Sequence, residues 1–501
     1  MANNAPTAPQ NAFSLEISLT TAKVGDAPGV TYNILGILDY VKIYEDLKDD
    51  CIEGVLVLYD TNKISSLYPI IGRETLKIKF SNRDSDGNFI EPYYEKEFDI
   101  IGLESQTTST FGDRSQLILK FISKPYLVNQ RIKISKTYKG TNDKIVREIL
   151  QKFFTETTPD LKRLYPITDD PTDDGAIESF IETNAKKLQN GFTRAVTNAF
   201  GKTAGKVSEF ATNLFTLGLI PGKNSVYVEP TKFEYTYIVP NQTPFEFIHA
   251  LTHNSISAAN DSTNFAFWEN RGGFNFKSLV SLGQEEPKIT ITNNLNSKLS
   301  GVVDRFAIIN FAEVKPIDNM NRLGGILGST SYTHIINEGR MEKKTYDYYK
   351  HFKDDTQLKM NPGNIFIDDT NEMFEDYRTV YGISDKTTNP DEGVYRDHLD
   401  SNFLLRKQME LRLLDNYTNE ATLAGAIDIE CGSVINVEFQ DALQINKDSD
   451  KVQPGTPDIF KSGKYVINRL CHELNPLNFY THIEIVKDSI LVSNKKLRTG
   501  E

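Results

Sequence analysis

A strand–hairpin–strand unit occurs twice in this chain, and that repetition restricts its fold more than any other feature. Gly72 with Leu76-x-Ile78-x-Phe80 lies over Gly432 with Ile435-x-Val437-x-Phe439. Phe98-Asp-Ile-Ile-Gly-Leu103 lies over Tyr465-Val-Ile-Asn-Arg-Leu470, and Leu119-x-Phe121 through Leu127-Val128 lies without a gap over Ile483-x-Ile485 through Leu491-Val492. Each segment alternates apolar and polar residues, the period of a half-buried strand. Alternating segments resemble one another by chance, so the matching order of three of them is what carries the repeat.

Around the first copy, strand follows strand. Phe13, Leu15, Ile17 and Leu19 alternate, Gly54–Tyr59 is a further strand, and Asp84-Ser-Asp-Gly87-Asn88 turns the chain between Leu76–Phe80 and Tyr93–Ile101. With no long helix between them, these segments read as an antiparallel sheet or barrel that ends near Val128. The pattern then changes. Ile145, Ile149, Leu150, Phe153 and Phe154 recur at helical spacing over 142–155. Thr243-Pro244-Phe245-Glu246 places an N-cap threonine, a proline at the first helical position and a glutamate three after the cap. A hairpin follows at Phe265-x-Phe267 and Phe274-x-Phe276, with Trp268 on the face opposite its phenylalanine neighbours. Residues 346–424, polar and rich in Tyr and Asp with a helical tract near Phe403–Leu414, read as an insertion in the second copy.

The stretch 180–217 is amphipathic, with Leu188, Phe192, Val196, Val207, Phe210 and Leu214 on one face and Lys186, Lys187, Arg194, Lys202 and Lys206 on the other. Unbroken, it would be about 60 Å long. Gly191, Gly201 and Gly205 interrupt it, each at about 1 kcal/mol in a helix interior. It either breaks there or packs on something outside its own domain. The six apolar residues are the candidate partner-contact face, and a membrane-surface role is the alternative.

No motif argues for catalysis or a cofactor. Phe200-Gly-Lys202-Thr203 has Val196 where a phosphate loop needs glycine, and it lies inside the amphipathic stretch. Gly324-Gly325-x-x-Gly328 lacks dinucleotide-loop spacing. His249 and His253 stand four apart, but Ala250-Leu-Thr252 supplies no zincin glutamate and no third ligand. The run from Asn82 has Tyr93 where a calcium loop needs glutamate, and the loop Asp169–Asp174 fails similarly. Cys471 and His472, being adjacent on a strand, point to opposite faces. Two of the many carboxylates could still meet in space as a glycosidase pair, although nothing singles out two of them.

Composition agrees with that. The 68 acidic against 56 basic side chains give a net charge of −12, the opposite of a backbone-holding nucleic-acid footprint. Cys51, Cys431 and Cys471 are too scattered for a disulfide scaffold and read as free thiols. The opening Met1–Phe13 carries no charged and apolar leader, and no apolar run reaches membrane-spanning length, so a soluble chain made in the cytoplasm is expected.

Three stretches together resemble the baseplate central hub proteins of T-even-type contractile-tail bacteriophages, which are related to the hub part of secretion-system spike proteins. They are Tyr237-x-Val239-Pro-Asn-x-Thr-Pro-Phe245-Glu-Phe-Ile-His-Ala-Leu251, Asn264-Phe-x-Phe-Trp-Glu-Asn-x-Gly-Gly-Phe274-x-Phe276-x-Ser-Leu279, and Ser462-Gly-Lys-Tyr-Val466 with Tyr480-x-x-Ile483-x-Ile485-x-x-Asp488-Ser489. The resemblance runs from about 13 to 494. It implies an α+β, mostly β fold, with two similar antiparallel β-barrel tube domains per chain and α/β and helical insertions. The division expected is an arm at 1–12, a first tube domain at 13–128, an α/β domain at 129–284 with a helical insertion at 157–225, a second tube domain at 285–345 plus 425–495, an inserted domain at 346–424 and a tail at 496–501. It also implies a homotrimer forming a pseudo-six-fold ring between the tail tube and a three-fold central spike protein, which carries any lysozyme activity. Tube or tape-measure proteins and other baseplate proteins are the further partners, and DNA passes through without specific binding. No cofactor, metal or catalytic residue is implied. The insertion at 157–225 departs from the compact family pattern. A hub of a secretion system or a bacteriocin particle is the alternative, although no β-repeat spike follows Asn494. A cell-wall-degrading or carbohydrate-binding β protein is a further one.

Overall fold

The computed structural model of the chain describes residues 13–22, 29–59, 70–82, 93–108, 115–154, 225–293, 306–315, 328–335, 339–347, 360–361, 363–364, 378–384, 417–439, 444–445, 452–453, 458 and 460–491. The turn at 84–88, the amphipathic stretch 180–217 and the tract 403–414 lie outside these residues.

In chain order the strands are β1 (Phe13–Thr20), β2 (Thr31–Asn33), β3 (Leu38–Asp46), β4 (Glu53–Tyr59), β5 (Thr75–Asn82), β6 (Tyr94–Thr108), β7 (Ser115–Ser123) and β8 (Ile134–Thr141). Then come β9 (Ser225–Val228), β10 (Glu234–Gln242), β11 (Phe265–Asn270), β12 (Gly273–Ser278), β13 (Ile289–Thr292), β14 (Ile308–Lys315), β15 (Gly328–Ile335), β16 (Arg340–Asp347), β17 (Gly363–Asn364) and β18 (Arg378–Ser384). The last are β19 (Thr418–Leu423), β20 (Val434–Glu438), β21 (Gln444–Ile445), β22 (Val452–Gln453), β23 (Gly463–Leu474), β24 (Phe479–Val486) and β25 (Ser489–Ile490). The helices are α1 (Lys124–Arg131), α2 (Asn142–Phe154), α3 (Pro244–His253) and α4 (Leu279–Gly283). The fold is mostly β with predominantly antiparallel sheets.

Thirteen strands form one sheet, whose path is β14-β19-β24-β23-β3-β4-β7-β6-β5-β1-β2, with β20 on β23 and β13 on β20. Alternate residues of β1, β3, β4, β5, β6 and β7 meet in one core, among them Ile17, Ile43, Leu56, Ile78, Phe98 and Leu119. One layer of strands can do this only by curling round its own apolar face. A second core of the same kind gathers Ile291, Leu423, Ile435, Tyr465, Ile467, Ile483 and Ile485.

The two cores are built in matching register. Leu76 faces Phe98 across β5 and β6, and Ile435 faces Tyr465 across β20 and β23. Ile100 faces Phe121 and Ile467 faces Ile485, then one residue bulges out, Ile101 in β6 and Asn468 in β23, before Gly102 meets Lys120 and Arg469 meets Glu484. Ahead of each unit a glycine turns the chain, Gly72 at φ +79° and Gly432 at φ +82°. The overlay ends where the sequence reading continued it to Val128. β7 stops at Ser123 and α1 begins, with Pro125 in its first turn, where the missing N–H costs nothing.

A third core lies between. Helices α2 and α3 cover β8, β10, β11 and β12, and Phe154, Phe245, Phe267 and Phe274 stack within it, with the Phe154 and Phe245 rings 4.8 Å apart. The expected capping box is formed: the Thr243 hydroxyl accepts from the Glu246 N–H at 3.3 Å and the Glu246 carboxylate accepts from the Thr243 N–H at 2.7 Å. Strand β15 and β16 up to residue 345, within the range expected for the second tube domain, pair instead with β18 in a separate three-stranded sheet. Strand β19, within the range expected to be inserted, stands in the large sheet. Thr-Asn-Glu-Ala-Thr-Leu is too polar to read as a buried strand, yet Ala421 and Leu423 fill the second core.

The two turn glycines separate strain from crowding. A Cβ at Gly72 would meet nothing nearer than 3.9 Å, whereas at Gly432 it would lie 2.6 Å from the Trp268 ring. Gly72→Ala is expected to cost about 1–2 kcal/mol from left-handed backbone alone. Gly432→Ala is expected to add about 1–3 kcal/mol of forced repacking to that. Urea denaturation of the two variants checks the order.

Candidate assembly site at the junction of the two units

The joint between the two units is a ladder of backbone hydrogen bonds. The first half of β23 pairs with β20, from Gly463 to Val466, and its second half pairs antiparallel with β3, from Arg469 opposite Asp46 to Leu474 opposite Val41. On the solvent side Lys42 and Glu473 form an ion pair at 3.0 Å, and Arg469 reaches both Asp46 and Glu484. Beneath the ladder the hairpin β11–β12 drives its tip between the units. The sequence put Trp268 on the face opposite the phenylalanines, and there it leaves the third core and packs with Leu47, Met360, Cys431, Val434, Val466 and Val486.

The tip holds one unit with Glu269 and the other with Trp268, Asn270 and Arg271. The Glu269 carboxylate, 4% exposed, accepts from the Ile52 N–H at 3.0 Å, from the Ser123 hydroxyl and from the Lys96 ammonium at 2.6 Å. All three donors belong to the first unit. On the other side the Trp268 Nε1–H donates to the Cys431 carbonyl at 3.2 Å, and Arg271 donates to the Ile427 carbonyl at 2.6 Å and to the Glu430 carboxylate at 3.1 Å. Cys431 completes the link, since its N–H donates to Glu45 of β3 at 3.0 Å.

Burial sets the charges here. It pushes the Glu45 carboxyl up to about 7; the bond from Cys431 opposes the rise and the Glu430 charge adds to it. Burial also raises Glu430, but Arg271 and Lys288 more than offset this and hold it below the usual carboxylate range. His472, between the rings of Phe80, Tyr94 and Phe479, is pushed down to about 3 by its burial and is therefore neutral. Cys471 beside it is half-buried and points to the other face, as alternation on a strand requires, and all three cysteines are free. At the far end of the second unit the Lys487 ammonium sits between the Tyr417 and Tyr465 rings, 4.7 and 4.6 Å from their centres, and donates to the Ser462 carbonyl at 3.1 Å.

Of the sequence expectations for a site, the candidate contact face Leu188, Phe192, Val196, Val207, Phe210 and Leu214 lies outside the described residues. His249 faces Asp50 rather than His253. Among the described residues no three of His, Cys, Asp and Glu are gathered as metal ligands. Glu45, Glu269 and Arg271 were not singled out, because charged residues at strand ends look alike whether they face solvent or a neighbouring core. Glu269 is one of the residues of the hairpin motif that carries the resemblance, and Arg271 occupies an unspecified position within it.

No family model matches the chain. It is 20% identical over 275 residues to the "Probable baseplate hub protein gp334" of Vibrio phage KVP40, a match covering 52% of this chain and 61% of that one. Among solved structures it is similar to a tail protein from Neisseria meningitidis MC58, with TM-score 0.45 and 10% identity over 95% of this chain and 97% of that one. It is also similar to the 43 kDa tail protein of prophage MuSo2 from Shewanella oneidensis, with TM-score 0.45 and 10% identity over 94% and 98% of the two chains.

The proton on Glu45 has a measurable consequence. Its folded value of about 7 stands above the ordinary 4.5. The stability it contributes is fully present below pH 4.5 and is lost as pH rises to about 7, a change of about 3 kcal/mol. Glu45→Gln imitates the protonated form. The difference between the wild-type and variant melting curves is expected to open over that window, and other groups cancel in it. Glu269→Ala, which strands the Lys96 charge and the Ile52 N–H, is expected to cost about 3–5 kcal/mol, against under about 1 kcal/mol for Lys42→Ala at the surface.

Proposed function

We propose that this chain is a structural hub protein of a contractile phage tail baseplate. Three copies close into a ring of six alike β units that joins the tail tube to a three-fold spike, and DNA leaves through its bore. The observation that carries this reading is the joint itself. Two alike units already stand side by side within one chain, held by a β ladder and a wedged hairpin. A tandem pair of that kind is what turns three-fold symmetry into a ring of six. The similarity to the Vibrio phage hub protein supports it, and since the match spans 61% of that relative's length, the partners are part of the proposal.

The division into a first tube unit at 13–128, a connecting α/β part at 129–284 and a second tube unit at 285–345 plus 425–495 belongs to the same reading. So do a separate spike protein at one end, tube or tape-measure proteins at the other, and the face of Leu188, Phe192, Val196, Val207, Phe210 and Leu214 as a contact to another baseplate protein. The net charge of −12 suits a bore that must not retain a polyanion. The role is structural, without turnover, in the baseplate of a virion assembled in the host cytoplasm.

Light scattering and negative-stain class averages of the purified chain test it. The expected particle weighs three times 56.7 kDa and shows a central pore with six similar lobes. A compact monomer that clears bacterial cell walls would overturn the reading.

A further inference from the structure

The correspondence between the two units reaches beyond the segments that announced it. Strand β4 pairs with β7 with Leu56 opposite Leu119, and β19 pairs with β24 with Ala421 opposite Ile483. Outside them, β3 pairs with β4 and β14 with β19, and both outer strands bulge at the same point, between Leu38 and Tyr40 and between Ile308 and Asn310. The order β3-β4-β7-β6-β5 is therefore repeated as β14-β19-β24-β23-β20.

Within the chain, β3 covers the edge of β23 beyond its bulge. The edge equivalent to that one is β6 from Gly102 to Thr108, and the strand equivalent to β3 is β14. Among the described residues, β6 beyond Ile100 pairs on one side only, with β7, and β14 pairs on one side only, with β19. Unpaired edges of this length are templates for another chain unless something covers them. Exposure tells the same story. Leu470 is 1% exposed, whereas its counterpart Leu103 is 45% exposed, and Ile309 in β14 is 43% exposed.

We infer that β14 of one copy of the chain pairs antiparallel with β6 of the next copy, Phe311–Glu313 against Gln106–Thr108, in the register that β3 and β23 use within the chain; past these residues β14 and β6 each have a bulge, at Val314 and Glu104, that β3 and β23 lack. The inference rests on the ring reading above and supplies its interface. Thr107 faces Gln116 as Glu473 faces Tyr480, and Ala312 faces Glu420 as Lys42 faces Val55. Thr107 of one copy therefore stands opposite Ala312 of the next, in the place where Glu473 and Lys42 meet at 3.0 Å. The occupant is a second copy because one chain presents both halves of a joint it has already made once. The two edges differ, so the contact is head-to-tail and propagates until it closes.

The test uses the full chain in a Cys471→Ser background, leaving only the buried Cys51 and Cys431. Thr107→Cys with Ala312→Cys is oxidised by air with a copper catalyst, beside Thr107→Cys with Glu313→Cys, which is one residue out of register. Particles three chains in mass that become covalently linked only through the first pair support the ladder. Particles of that mass that do not link, or that link equally through both pairs, overturn the ladder and leave the ring standing. A chain that stays monomeric at every concentration overturns both. Charge gives a second readout without thiols: Thr107→Lys with Ala312→Lys is expected to weaken self-association at least about three-fold, and Thr107→Glu with Ala312→Lys to restore it. Equal association by the two charge variants would also overturn the ladder.

Discussion

One strand belongs to two units, and the rest of the structure depends on how it is shared. The first residues of β23 complete the second core through β20, and the last ones complete the first unit through β3. A β ladder is directional and spaced by the residue, so this joint fixes the mutual placement of the two units more tightly than packing of apolar faces would. It also removes from solvent an edge that would otherwise invite unrelated strands.

Beneath the ladder, the wedge sets the placement by chemistry rather than by area. Glu269 on one side and Arg271 on the other are desolvated, and burying such groups is favourable only when every lone pair and proton is answered. Glu269 finds its three donors in the first unit, and Arg271 finds the Ile427 carbonyl and Glu430 in the second. Displacing either unit would strand several buried polar groups at once. The arrangement trades some stability for a single geometry.

Much of this was legible from the residues. The three paired segments were visible because alternation and turn glycine recur in the same order, whereas the bulges and the register of Leu76 with Phe98 and of Ile435 with Tyr465 came only with the structure. The capping box at Thr243 and the split faces of Phe267 and Trp268 were legible for the same local reasons. Strands β14 and β19 were not, since β19 carries mostly polar residues and a long stretch separates the two in sequence, so no single window shows them as partners. The buried charges stayed hidden because sequence does not say which strand end meets another core. The helical face at Leu188 to Leu214 remains an expectation from periodicity.

The bulge at Asn468 lies between the two halves of β23, and Asn468 turns its carbonyl to the Leu47 N–H across the joint. A bulge bends its strand and sharpens the local twist. It makes this strand a corner that cannot slide through either ladder, because a slip of one residue would drive the extra residue into a place with no partner and turn every side chain to the wrong face. Any curvature a larger assembly acquires at such joints is therefore set by residue count, as the pitch of a staircase is set by its treads.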